Sequence, residues 1–247
     1  MKNVIYTVLL SFITLPVQAE TMKVCFEDFK PSAYFEGETP VGIDVEVLTE
    51  IMKTQNVEVN FKMKPWNSCI HDLDMQRIDA VIPMVYSKER AEKYSLGSSI
   101  RTRGNYLVVK KSFTKQIAGF KDMDKLTVLY GTGYSISKEF EEATNITKLS
   151  VTSSDFVYEK ILNMVASGRA DVGIVDAQIY PSIVKKLNLE EKVKVLDFNL
   201  TKATHVGFTK NNKFYDLYEK GFKKVALNKL VLKKIAKHTK KFDKVSN

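Results

Sequence analysis

The sequence predicts an α/β protein in two lobes, each a mostly parallel sheet flanked by helices. Three observations predict it. Strand-like and helix-like segments alternate through both halves of the chain, the order that builds βαβ units. A helix–Arg-x-Asp–strand unit is written twice, with Arg77 and Asp79 before "AVIPM" and Arg169 and Asp171 before "VGIVD". Two extended runs, Gly104 to Ser112 and Ala203 to Lys210, provide crossings between the halves. Two crossings make lobe 1 discontinuous, residues 20–107 plus 206–247, with lobe 2 at 108–205. A length of 247 residues suffices for two cores.

The elements follow in order. Residues 1–19 stand apart: Lys2, an apolar run from Val4 to Leu15, and "VQA" before Glu20 have the form of a signal peptide cleaved after Ala19. This reading places the mature protein in the periplasm; an uncleaved N-terminal anchor is the alternative. "MKVCFE" is a first strand running into an acidic turn at Glu27 and Asp28. Val41, Val45, Leu48 and Met52 have helical spacing, and "VEVNFKM" alternates as a strand. "PWNSC" turns into a helix, and "RIDAVIPM" is the next strand. Ser87 is placed to cap the short helix "KERAEKY". In the second half, "KLTVLYGTGYS" reads as strand, glycine turn and helix entry. "SSDFVYEKILNMVASG" is a helix stopped at Gly168, "RADVGIVD" a strand, and "AQIYPSIVKKLNL" a helix.

The formal charge of +9 comes largely from a lysine-rich C-terminus. There Phe214, Leu217, Tyr218, Phe222 and Val225 keep helical spacing with lysines mostly between them, which is the pattern of a solvated helix face. No nucleic-acid partner is expected. Cys25 and Cys69 are the two cysteines. In an oxidising compartment they are candidates for a disulfide, with a free buried pair as the alternative. Two thiols and the nearby His71 complete neither a zinc set nor an oriented triad, so no metal or cofactor is expected.

The order "CFEDFKPSAYFEG", "GIDVEVL", "PW", "RIDAVIP", "SKERAEKYS", "LYGTGYS", "GRADVGIVD", "HVGFTKNN" spans the mature chain. In that order and spacing it resembles the family-3 periplasmic solute-binding proteins, the amino-acid receptors of ABC importers. The resemblance implies a type II periplasmic-binding-protein fold, whose lobes close over one small ligand about a two-strand hinge. It also implies a monomer that hands its ligand to an ABC permease.

Carried over position by position, Arg90 matches the arginine that grips the ligand α-carboxylate. Thr132 and Gly133 match the carboxylate loop of lobe 2, and Asp176 matches the partner of the α-ammonium. Tyr34 and Trp66 fall where aromatics line the side-chain pocket. Glu27, Tyr86 and Ser87 lie at strand ends that face the same crevice, where open parallel sheets collect ligands. One departure bears on the ligand. Here "VYSKER" has Val85 where the family usually has a hydroxyl, so a related small carboxylate or a modified amino acid joins amino acids as a candidate. Two other outputs stay open: signalling to a membrane sensor, and a dehydratase-like enzyme using Glu27 or Asp28 as its acid or base.

Overall fold

The computed structural model describes residues 20–152 and 156–245. The predicted leader lies outside the described residues. The chain opens on β1 (Glu20–Phe26), where Met22, Val24 and Phe26 alternate into the core. A hairpin of β2 (Tyr34–Glu36) and β3 (Thr39–Val41) leads into α1 (Ile43–Lys53). That helix buries Ile43, Val47, Leu48 and Ile51 on one face. Next come β4 (Val57–Met63), α2 (Trp66–Asp74), β5 (Ala80–Val85), α3 (Lys88–Lys93) and β6 (Ser95–Leu96).

The long strand β7 (Arg101–Lys110) crosses to the second lobe. There β8 (Thr127–Gly131), α4 (Lys138–Glu142), β9 (Thr147–Val151), α5 (Val157–Ser167), β10 (Val172–Asp176) and α6 (Tyr180–Lys186) follow. Gly168 ends α5 in the left-handed region at φ 79°, as its place after the helix predicts. Strand β11 (Val193–Phe208) returns the chain to the first lobe, and α7 (Lys213–Lys224) and α8 (Leu227–Val245) close it.

The strand order is β4-β1-β5-β11-β7-β10-β8-β9, with β6 beside β11. The first lobe has the parallel set β4-β1-β5 and the second the parallel set β10-β8-β9. Between them β7 and β11 run antiparallel to each other and to their outer neighbours. They are the two-strand hinge, longer than predicted, since β11 begins at Val193 rather than Ala203. A register shift between Val195 and Asn199 lets β11 bend and serve both lobes. Buried clusters centred on Met22, Leu48 and Phe208 and on Trp66 and Leu73 lie in the first lobe. Those centred on Ile161 and Leu162 and on Val109 and Phe140 lie in the second.

The repeated Arg-x-Asp unit does the same structural work twice. The Asp79 carboxylate accepts the Lys23 backbone N–H at 2.8 Å, while its own N–H donates to the Lys23 carbonyl at 2.8 Å. The Asp171 carboxylate accepts the Thr127 N–H at 2.8 Å, and its N–H donates to the Thr127 carbonyl at 3.1 Å. Each Asp therefore ties the entry of one parallel strand to the strand beside it.

Cys25 of β1 and Cys69 of α2 form a disulfide, with Cα atoms 5.5 Å apart. The basic C-terminal helix has a specific anchor: Glu46 of α1 receives Lys234 Nζ at 2.9 Å, Lys237 Nζ at 2.7 Å and His238 Nε2 at 2.7 Å.

Helix α7 approaches α1 through Gly221. A Cβ built there would lie 2.5 Å from the Ile51 carbonyl oxygen and 2.9 Å from Thr54 Oγ1. Glycine-to-alanine inside a helix ordinarily gains about 0.5–1 kcal/mol. Here the fixed backbone carbonyl reverses the sign, and Gly221→Ala is expected to lose about 1–3 kcal/mol by chemical denaturation. A gain in stability would show that the two helices can separate without cost.

Candidate ligand-binding cleft

The lobes meet over a cavity of about 60 Å³ at the carboxyl ends of β1, β5 and β10. Arg90 enters it from α3. Ser87 caps that helix, its Oγ accepting the Arg90 N–H at 3.1 Å, so the cap fixes the turn that carries the guanidinium. Arg90 Nη1 donates to the Val85 carbonyl at 2.8 Å, and Nη2 reaches across to the Gly133 carbonyl of the other lobe at 2.8 Å. The guanidinium lies over the Trp66 ring, 5.3 Å from its centroid.

Glu27, directly after β1, accepts the Tyr134 hydroxyl at 2.6 Å, a second bond between lobes. Burial pushes the Glu27 carboxyl up, opposed by the bonds from Tyr134 and the Trp66 backbone and reinforced by Asp28. Tyr134 is itself pushed far up, chiefly by burial, and so serves as a neutral donor.

The floor of the cavity is made by the hinge. Arg103 Nη2 of β7 donates to Asp176 Oδ2 of β10 at 2.7 Å, and both side chains are buried. Asp176 Oδ1 accepts the Gln178 N–H at 2.9 Å. The Arg103 guanidinium stacks on Phe29, 4.1 Å from the ring centroid. Directly opposite Arg103 in the β7–β11 pairing sits Lys202. Its Nζ donates to the Ser135 carbonyl at 3.3 Å. Burial draws the Lys202 ammonium down to about 7; Arg103 and Arg90 push the same way and Asp176 opposes them.

Of the residues predicted from sequence, Arg90, Asp176, Trp66 and Glu27 line this one cavity. Ser87 borders the adjoining groove. Tyr86 is 58% exposed and faces outward, contributing only its carbonyl to Ser135 Oγ at 3.2 Å. The predicted helix entry at Thr132 and Gly133 is a turn instead, and α4 starts only at Lys138. The Thr132 N–H donates to the Val151 carbonyl, and Thr132 Oγ1 pairs with Thr152 Oγ1 at 2.8 Å. Gly133 therefore meets Arg90 through its carbonyl, and the Tyr134 side chain occupies the cleft. Tyr34 lies elsewhere: the β2–β3 hairpin folds it against α8, where its hydroxyl meets His238 Nδ1 at 3.2 Å. Phe29 and Tyr158 supply the aromatic wall beside Trp66 and Tyr134.

Arg103 and Lys202 went unrecognised in the sequence. A signal existed for the first: Arg101 and Arg103 alternate onto one face of a strand that runs on into Leu107 and Val109, a costly placement without partners. Among the described residues, no cluster of His, Cys, Asp and Glu could hold a metal ion, and no helix is long and apolar enough to cross a membrane.

Known proteins resemble this chain in sequence and in fold. The probable amino-acid-binding protein YxeM of Bacillus subtilis (strain 168) is 26% identical over 164 residues, 66% of this chain and 61% of YxeM. The L-cystine-binding protein TcyJ of Escherichia coli (strain K12) is 29% identical over 171 residues, 68% of this chain and 63% of TcyJ. The match thus spans less than two thirds of either relative's length. Among solved structures, the amino acid ABC transporter substrate-binding protein AbpA from Streptococcus pneumoniae Canada MDR_19A, bound to L-arginine, superposes with a TM-score of 0.72 at 19% identity. That superposition covers 90% of this chain and 95% of AbpA. It establishes the two-lobed type II periplasmic-binding-protein fold. The profile of the bacterial extracellular solute-binding proteins, family 3, matches residues 22–240, and the chain belongs to that family.

Proposed function

We propose that this chain is an exported receptor that captures a small carboxylate-bearing solute, an amino acid or a close relative, and presents it to an ABC permease. Residues 1–19 direct it to the periplasm and are removed. Its lobes are residues 20–107 plus 206–247 and residues 108–205, closing about β7 and β11. The protein binds its ligand without transforming it, a reading supported by relatives that are named as binding proteins.

One observation carries the reading. Arg90 stands on the Trp66 ring in the first lobe, touches Gly133 in the second, and shares its cavity with Asp176. A carboxylate that replaces those carbonyl contacts would gain a planar, charge-assisted fork, and that fork favours the closed arrangement.

Trp66 is the only tryptophan, so its fluorescence reports directly on the site. A bound ligand should change that emission, and at a hundredfold excess over Kd should add about 2.7 kcal/mol of stability. Arg90→Ala should weaken binding by at least about 30-fold, since truncating a buried charged contact costs about 2–5 kcal/mol. It should leave the far-ultraviolet circular dichroism unchanged. Unaltered affinity in that variant would refute the site.

A further inference from the structure

We propose that the cleft selects a compact dicarboxylate carrying net negative charge over a neutral zwitterion. The inference rests on the binding function above and concerns the ligand class of the same cavity. Three cations line it, Arg90, Arg103 and Lys202, against the two acids Asp176 and Glu27. Arg103 takes Asp176 Oδ2, and Gln178 N–H takes Oδ1. Glu27 is held by Tyr134, and its burial favours the neutral acid. Arg90 and Lys202 are left with backbone carbonyls of Val85, Gly133 and Ser135. Among the described residues neither forms an ion pair.

The register sharpens the imbalance. Arg103 and Lys202 are directly opposed across β7 and β11, an arrangement of like charges that is unfavourable in a sheet. Arg103 also keeps a buried Nε with no acceptor. A zwitterion brings no net charge, and its ammonium would have to share an Asp176 already bound on both oxygens. A dicarboxylate instead places one carboxylate on the unpaired Arg90 and a second beside Lys202 and Arg103, where it favours the charged form of Lys202. The inner cavity of about 60 Å³ sets the scale of the part held between these cations, and it opens onto a groove that shares Trp66, Arg90, Tyr134 and Ser135. On the same measure one water needs about 10–15 Å³.

Lys202 should gain a proton as the second carboxylate arrives. The charged groups facing it are Arg103 on β7, Asp176 on β10 and Arg90 on α3, with Glu27 across the cavity. Binding that takes up a proton weakens as pH rises above about 7.

The test is calorimetry at pH 6.5 and 8.5 with malonate, succinate, L-aspartate and L-glutamate, against L-alanine, L-glutamine, L-arginine and L-cystine. The wild type is expected to bind at least one dicarboxylate at least about tenfold more tightly than any neutral or cationic amino acid, and more tightly at the lower pH. Lys202→Gln, which removes a like charge and so should fold, is expected to erase both the preference and the pH dependence. Equal or tighter binding of a neutral or cationic amino acid overturns this inference while preserving the binding function. A Lys202→Gln variant that keeps the preference overturns it as well. Failure of the whole panel to bind overturns the binding function itself.

Discussion

Arg101→Met is expected to destabilise the protein by about 3–5 kcal/mol, measured as a shift in urea midpoint at unchanged slope. Asp44 sits within α1 with none of its surface exposed, a position tolerated only because Arg101 meets it bidentately. Nε reaches Oδ1 at 2.6 Å and Nη2 reaches Oδ2 at 3.1 Å. Nη2 also donates to the buried Ser32 Oγ at 2.7 Å, and Nη1 reaches Gln178 of the other lobe at 2.9 Å. Removing the arginine strands a buried carboxylate, which costs far more than the pair contributes. The double variant Asp44→Leu, Arg101→Met should therefore recover most of the loss. A single variant costing under about 1 kcal/mol would mean that water reaches Asp44. The pair also bears on binding. Arg101 anchors the strand that carries Arg103 two residues on, and its bond to Gln178 abuts Asp176.

Removing the disulfide with Cys25→Ala, Cys69→Ala should cost about 2–4 kcal/mol. The bridge spans a sequence separation of 44, for which loop-closure entropy alone predicts about 4 kcal/mol. Both cysteines are fully buried within the cluster that holds Trp66 and Leu73. The bridge therefore pins α2, and with it the Trp66 ring under Arg90, to the central strand β1. Loss of stability should come with a loss of ligand affinity, read from Trp66 emission. A double variant within about 1 kcal/mol of wild type would show that packing alone holds α2 in place.

Local pattern carried most of the fold. The stripe of α1, the Ser87 cap, the Gly168 stop and the alternation of β4 are set by residues within a turn or two of each other, so the sequence displays them directly. The repeated Arg-x-Asp unit was legible as strand entry, and Asp79 and Asp171 make that bond in both lobes. The site was only half legible. Arg90 lies in the first turn of α3 and Asp176 ends β10, and the resemblance fixes both positions. Tyr34 is placed by α8, which lies at the far end of the chain, and nothing local to "SAYFEG" reports that contact. Arg103 and Lys202 meet only through antiparallel register between two long strands. Such pairing follows from hinge geometry and a β-bulge rather than from any local spacing. At Thr132 a glycine turn before a polar stretch has the pattern of a helix entry, but α4 begins only at Lys138. Tyr134 instead turns into the cleft and bonds Glu27.

The most direct test is a crystal structure with the tightest ligand found by calorimetry. A carboxylate is expected in bidentate contact with Arg90, over Trp66, with the guanidinium released from at least one of the Val85 and Gly133 carbonyls. A second acidic group is expected within hydrogen-bond reach of Lys202. A ligand seated elsewhere, with Arg90 still bonded to both carbonyls, would contradict the assignment of Arg90 as the carboxylate grip.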